Sequence, residues 1–291
     1  VPFIFGQLTI LASAFCFYFA TVIIRWSQET TQIDPAYYAF CRFLLGFLIV
    51  CIVLAARRQR PKPEKYHLLI GRALSNGAAV LCFYSAVQYS SVAEANMLNM
   101  TYPVFVALFS WVFLRSQRDW IGMLMVPIAI VGIWLIISPG KFHVGLGSAY
   151  GLASGLLASA AMLYLNVSRR YHDVNTVLFF MFGIGSLLML ILFHNRFFWP
   201  NAREFYYLLA CSLVGIGGQF LVTVGFRYVT AVEGSIISSA RILLAAMLGP
   251  LMVGEHSLTM LGWVGALLLF IANAVLALRR PHAEPLVRRH I

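Results

Sequence analysis

Three arginines stand where a charge is costly. Arg42, Arg72 and Arg241 each fall inside a long apolar run, and an ionisable side chain in such a run marks a substrate path, a relay or a deliberate pairing. Arg241 is the deepest. It lies eight residues beyond Glu233, about 12 Å along a helix, farther than a snorkelling side chain reaches with ease. Its planar guanidinium can bond both oxygens of a carboxylate or phosphate. The other reading is that it bonds carbonyls freed by a broken neighbouring helix. Arg72 lies close enough to the end of its run to snorkel to water. Arg42, in FCRFLLGFL, reads as a structural tie to a neighbouring helix.

Neutral polar residues fall around these charges at helical spacing. Gly234, Ser238, Arg241 and Ala245 share one face of a helix, and the positions 139 residues earlier are Ala95, Asn99, Tyr102 and Val106. Asn76, Val80 and Tyr84 share another face, and their mates are Gly215, Gln219 and Thr223. Tyr18 and Ser159 occupy near-equivalent places in the first and sixth apolar runs, and Tyr164 is also deep. Four faces of small and polar residues at similar depth predict one shared cavity. The alternative is hydrogen bonding between packed helices. In the cavity reading the substrate-binding candidates are Tyr18, Asn76, Tyr84, Asn99, Tyr102, Ser159, Tyr164, Gln219, Ser238 and Arg241. Pro103 has no N–H to give the carbonyl of Asn99, so it predicts a kink that is either a hinge or purely structural. Gly147, Gly151, Gly155 and Ser159 recur at every fourth position, which predicts close helix packing, with Gly155 the candidate gating contact.

The ten acids and seven histidines lie in loops, tails or the outer turns of the apolar runs. A proton-coupled carrier usually holds such a group within the membrane, so uniport or exchange is expected. Metal sites, cofactors and hydrolytic constellations are not expected, and no enzyme is read here. The five cysteines form no CxxC pair.

Of 291 residues, 61% are hydrophobic and only 11% charged, against about 25% charged in a soluble domain. Such a chain is an all-α membrane protein, with lipid as its principal surroundings. Ten spans are expected at 4–24, 35–56, 66–88, 92–114, 119–137, 147–168, 174–194, 204–226, 232–253 and 259–278. The first apolar run lacks a basic segment ahead of it and reads as the first span. Of 21 Lys and Arg, 14 fall in one alternate set of loops and the C-terminal tail; Arg25, Lys141, Arg196 and Arg203 fall in the other set. This bias predicts both termini on the cytoplasmic side. It also accounts for the net charge of +11 without a nucleic-acid partner. The offset of 139 pairs Tyr89 with Tyr228, Glu94 with Glu233 and Ala107 with Ala246, while GQLTILAS at 6–13 faces GSAYGLAS at 147–154. Two halves of five spans each must enter the membrane from opposite sides, an inverted repeat with its substrate site near the midplane. The expected units are 1–138, 139–278 and a basic cytoplasmic tail over 279–291.

YSSVAEANMLNMTYPVFVALFSWVFL at 89–114 and YVTAVEGSIISSARILLAAMLGPLMVGE at 228–255 resemble the two halves of the drug/metabolite transporter superfamily in its EamA form. Arg42 in its run resembles a recurrent family feature, and Arg115-Ser116 departs from the Gly-Glu pair expected at that place. The resemblance implies a secondary transporter of the bacterial inner membrane, most similar to amino-acid exporters. It would carry small molecules with aromatic or other uncharged side chains by alternating access. Arg241 would take the carboxylate, Asn, Ser and Gln side chains the ammonium, and the tyrosines the side chain. A nucleotide-sugar or organophosphate exchanger would be expected to show several deep basic residues, and a carrier of cationic drugs a deep carboxylate. A channel is the reading from a different class. A monomer is expected, since each inverted pair can form its own pathway.

Overall fold

In the computed structural model, residues 2–113, 120–137, 145–168, 171–225, 228 and 231–279 are described. The expected tail beyond 279, the Arg115-Ser116 pair and the side chains of Glu233 and Gly234 lie outside the described residues. Those that are described form helices and short connections, without a strand. In chain order the helices are α1 (Pro2–Gln28), α2 (Pro35–Ala56), α3 (Tyr66–Tyr89), α4 (Val92–Asn99), α5 (Tyr102–Phe113), α6 (Trp120–Ile137), α7 (Leu146–Ser168), α8 (Val174–Phe193), α9 (Ala202–Gly225), α10 (Ala231–Val253) and α11 (Met260–Arg279). Six of the described helices, α1, α2, α3, α7, α8 and α9, are long and apolar enough to cross a membrane; α6, α10 and α11 carry shorter apolar segments.

The helix ends follow local chemistry. Asp34 caps α2, accepting from the Ala36 N–H at 2.8 Å, with Pro35 in the first turn. Ser91 caps α4 by accepting from the Glu94 N–H at 3.0 Å. Asn201 and Glu204 form a reciprocal cap on α9: Asn201 Oδ1 accepts from the Arg203 and Glu204 N–H groups, and Glu204 accepts from the Asn201 N–H at 2.8 Å. Gly254 ends α10 at φ 65°, a left-handed turn that glycine makes without strain.

The fourth expected span is not one helix. It divides into α4 and α5, with Met100 and Thr101 between them. Pro103 sits one residue inside α5, where its missing N–H is harmless, so the helix stops and restarts rather than bending. The Asn273 side chain of α11, fully buried, donates to the freed Met100 carbonyl at 2.8 Å. Thr101 turns its hydroxyl onto the Leu98 carbonyl at 2.7 Å.

Packing runs mainly between the two halves of the sequence: α3 lies along α7, α1 along α9 and α10, α2 along α8, and α6 along α11. One core gathers Tyr18, Tyr38, Phe43, Tyr84 and Phe182; a second lies between α4, α5, α6, α10 and α11. Glycines set the closest approaches. A Cβ on Gly151 would meet the Leu98 side chain at 2.8 Å, and one on Gly132 would meet the Gly265 carbonyl at 2.8 Å. Gly151 and Gly155 of the α7 repeat therefore lie against the end of α4, and Gly147 lies against Tyr89 and Ser90 ahead of it.

Candidate functional site

The Phe17 ring on α1 is the centre of the polar region. The Arg42 guanidinium of α2 lies 5.4 Å from its centroid and that of Arg241 on α10 lies 5.8 Å away. Arg241 also lies 5.3 Å from the Phe83 centroid, and Arg42 lies 6.0 Å from that of Tyr84. Contacts between cations and ring faces are strongest when both groups are desolvated, and the arginines are 4% and 5% exposed. Glycines on α9 make the space. A Cβ on Gly215 would stand 3.1 Å from Arg42 Cδ and Nε, and one on Gly218 would stand 3.1 Å from the Phe17 ring.

Each arginine is held by one neutral partner. Arg42 Nη1 donates to the Tyr84 hydroxyl at 3.0 Å, tying α2 to α3. Arg241 Nη2 donates to Asn99 Oδ1 at the end of α4. The other end of that amide donates to Ser154 Oγ on α7 at 2.9 Å, and Ser154 in turn donates to the Gly151 carbonyl at 2.7 Å. Asn99 therefore joins α10, α4 and α7 beside the helix break. The faces expected to be related by the offset of 139 meet at this bond. The Nε atoms of Arg42 and Arg241 and the Tyr18 hydroxyl are buried without hydrogen-bond partners. Among the described residues the salt bridges are Arg25 to Glu255 and Arg196 to Asp34, both elsewhere.

The structure gathers Tyr84, Asn99 and Arg241 around Phe17 and Phe83, with Tyr18 next along α1 and Tyr102 just past the break. The remaining sequence candidates lie apart. Gln219 shares a small cavity of about 10 Å³ with Arg72 and Thr223. Ser159 is buried and donates to the Leu156 carbonyl of its own helix at 2.6 Å. Tyr164 is 37% exposed, and its ring covers Gly71 of α3. Asn76 is half-buried, with its Nδ2 unpartnered. Ser238 is half-buried on α10, ahead of Arg241. Pro103 follows the break, and Gly155 packs against it at Thr101. Arg72 departs from the expectation that it snorkels to water: it is 3% exposed, with its Nε unpartnered, because α3 packs on both α7 and α8. The structure thus buries all three arginines, two at Phe17 and the third beside Gln219.

Two neighbouring places frame this centre. At the end where α1 stops and α4 starts, Glu255 accepts from the Val92 N–H through both oxygens, at 2.8 and 3.0 Å, and pairs with Arg25 Nε at 3.5 Å. A carboxylate at a helix N-terminus is favoured by the partial positive charge there. Ser148 donates to Glu94, and Trp26 Nε1 to the Met252 carbonyl at 2.8 Å. Arg25, Glu29, Ser91, Glu255 and His256 line an open depression of about 590 Å³ at this end. At the opposite end, His172 Nε2 accepts from the N–H groups of Glu64 and Lys65, both at 3.1 Å. Lys65 Nζ lies 3.7 Å from the Tyr171 ring centroid. Sequence reasoning found neither His172 nor Asn273; for Asn273 the available signal was a lone amide in an apolar run.

Comparison with known proteins agrees with this architecture. The EamA-like transporter family matches residues 4–138 and 145–278. The chain is 23% identical over 228 residues to the pseudopaline exporter CntI of Pseudomonas aeruginosa, covering 78% of this chain and 80% of that one. It is 30% identical over 155 residues to the threonine/homoserine exporter RhtA of Salmonella typhimurium, covering 52% of this chain and 49% of that one. A solved crystal structure superposes with a TM-score of 0.63 at 19% identity, covering 94% of this chain and 96% of the other, and so shares the fold. The chain belongs to the EamA-like transporter family, a group of multi-pass membrane transporters of small molecules within the drug/metabolite transporter superfamily.

Proposed function

We propose that the chain is a carrier that exports amino acids or similar small metabolites across the bacterial inner membrane by alternating access, as a monomer and without proton coupling. Ten spans form two inverted repeats over 1–138 and 139–278, with both termini in the cytoplasm. The charge bias between alternate loops supports that orientation. The helix pairing supports the repeat: shifting by 139 residues turns the α1–α9 contact into the α7–α3 contact.

The observation that carries the substrate reading is Arg241. It is 5% exposed, bonded to Asn99 beside a broken helix, and has no carboxylate partner among the described residues. A substrate carboxylate supplies the missing charge. Asn99 bridges helices beside the guanidinium, and Phe17, Phe83 and Tyr84 form the apolar wall. The Pro103 break and the Gly155 contact give α4 and α5 a joint about which they can move.

The test is flux into proteoliposomes of labelled Phe, Trp, Met and Thr, with and without an imposed pH gradient. Saturable flux, indifferent to the gradient and lost in Arg241→Gln, is expected. Non-saturating conduction would make the protein a channel, and flux that follows the gradient would overturn the uniport reading.

A further inference from the structure

The second arginine at Phe17 is unexplained by a substrate with one carboxylate. Arg42 ties α2 to α3 through Tyr84, but a neutral side chain could make that tie without placing a charge in the interior. A buried guanidinium without a countercharge is strongly unfavourable, and here two share one ring, each within 5.8 Å of its centroid. At this separation in a low-dielectric interior the two charges also repel each other. One further observation points the same way. Each guanidinium keeps its Nε–H unpartnered and buried. An arginine binds a carboxylate side-on through its fork of N–H groups, so a free Nε leaves one prong of that fork open.

We propose that Arg42 and Arg241 form a paired anion site astride Phe17, and that the transported molecule carries two anionic groups, one for each arginine. This rests on the carrier reading for a small metabolite and, within it, puts small dianions, either dicarboxylates or phosphate esters, ahead of the neutral amino acids as the preferred substrate. Such a molecule neutralises both guanidiniums together, and Phe17 sets the distance between its charged ends. Arg42 is then a specificity-determining residue. Its bond to the Tyr84 hydroxyl orients the guanidinium and does not use up its charge.

The experiment is competition against saturable flux in proteoliposomes, with unlabelled L-glutamate, L-glutamine, succinate and glycerol 3-phosphate. Glutamate and glutamine have nearly the same shape and differ by one negative charge. Glutamate is expected to compete about 10- to 100-fold more strongly than glutamine, the range for one charge-assisted contact. Arg42→Gln should remove that ratio and Arg42→Lys should keep part of it, a change in selectivity that a merely structural role for Arg42 would not produce. Succinate and glycerol 3-phosphate distinguish the two sources of charge, and competition by either one supports the pair. Equal competition by glutamine and glutamate in the unsubstituted protein, with saturable amino-acid flux intact, would overturn the paired site and leave the carrier reading standing. Absence of saturable flux for every compound would overturn both. The deciding comparison uses the unsubstituted protein, so it holds even if a variant fails to fold.

Discussion

Gly155→Ala is the sharpest test of the junction between α7 and the broken span. A Cβ at this position would overlap Thr101 Oγ1 and lie 2.9 Å from the Leu98 carbonyl oxygen and 3.4 Å from that of Asn99. The Leu98 oxygen is backbone, so it cannot rotate away, and the shortfall against an ordinary carbon–oxygen contact is roughly 0.4 Å or more. Overpacking of this kind destabilises by about 1–3 kcal/mol. Replacing glycine by alanine in a helix interior gains about 1 kcal/mol, so a net loss of up to about 2 kcal/mol is expected. Gly217→Ala is the control, since a Cβ there meets nothing within 4 Å; it should be neutral or stabilising. Thr101→Ala should rescue Gly155→Ala only in part, because it removes the hydroxyl but leaves the Leu98 carbonyl. The measurement is thermal unfolding of the purified protein in detergent, with saturable flux measured on the same preparations. If Gly155→Ala and Gly217→Ala shift the unfolding temperature alike, α7 does not approach the break as described, and the joint assigned to α4 and α5 loses its contact.

Asn273→Ala should destabilise by about 1–3 kcal/mol, the penalty for a buried carbonyl left without its donor, measured by the same unfolding assay; no change would mean that Met100 finds another partner. Glu255→Gln keeps an acceptor for Val92 but loses the charge that favours the start of α4 and pairs with Arg25; a cysteine placed at Ser91 should then react faster with a water-soluble maleimide than in the Ser91→Cys parent. His172→Ala leaves the Glu64 and Lys65 N–H groups without their acceptor, so trypsin should cut between Arg57 and Lys65 faster. The exposed Arg196–Asp34 pair behaves differently: the hydrogen bond and charge of Asp34 push the Arg196 guanidinium up from an already high value, so it keeps its charge at physiological pH. Arg196→Gln should nonetheless leave the unfolding temperature unchanged, because exposed pairs contribute little.

The elements with local causes were legible in the residues. Asp34-Pro35, Ser91 with Glu94 and Gly254 start or stop helices by their own hydrogen bonds or backbone freedom. Pro103 announced a defect in the fourth span, although not that the helix would stop and restart at Met100. The depth of Arg241 could be counted from the end of its run. Partners were less legible, because they depend on which helices touch. Arg42 looked like a tie and is one, but its position over the ring that Arg241 also faces needed α1, α2 and α10 to be brought together. Arg72 was close enough in sequence to a helix end to reach water, yet α7 and α8 close over it. Ser159 and Tyr164 shared the depth of the cavity candidates but not their direction.

The departures from the internal repeat explain each other. The residue 139 positions beyond Pro103 is Ile242, and α10 runs unbroken through it. The residue 139 positions before Asn273 is Trp134, an indole in place of the amide. Pro103 lies in the first half and Asn273, which donates to the Met100 carbonyl at the break, in the second, and neither has a like residue at its mate. A broken helix in an apolar interior survives only if its freed carbonyl is satisfied, so the two asymmetric residues are physically coupled. Arg241 fits the same logic. It extends from the unbroken α10 to Asn99 at the end of the broken α4, so the half that keeps its helix supplies the charge and the half that gives it up supplies the joint. A substrate anion drawn to Arg241 competes for the guanidinium that holds Asn99. Under the proposed carrier reading, binding and movement of the joint are linked through that hydrogen bond. Asn99→Ala separates them, because it frees Arg241 for substrate but cuts the link to α4. Tighter substrate binding with slower turnover is expected for this variant, measured as a fall in both KM and maximal flux. A fall in maximal flux with KM raised would show that Asn99 serves the substrate directly and that the linkage does not operate.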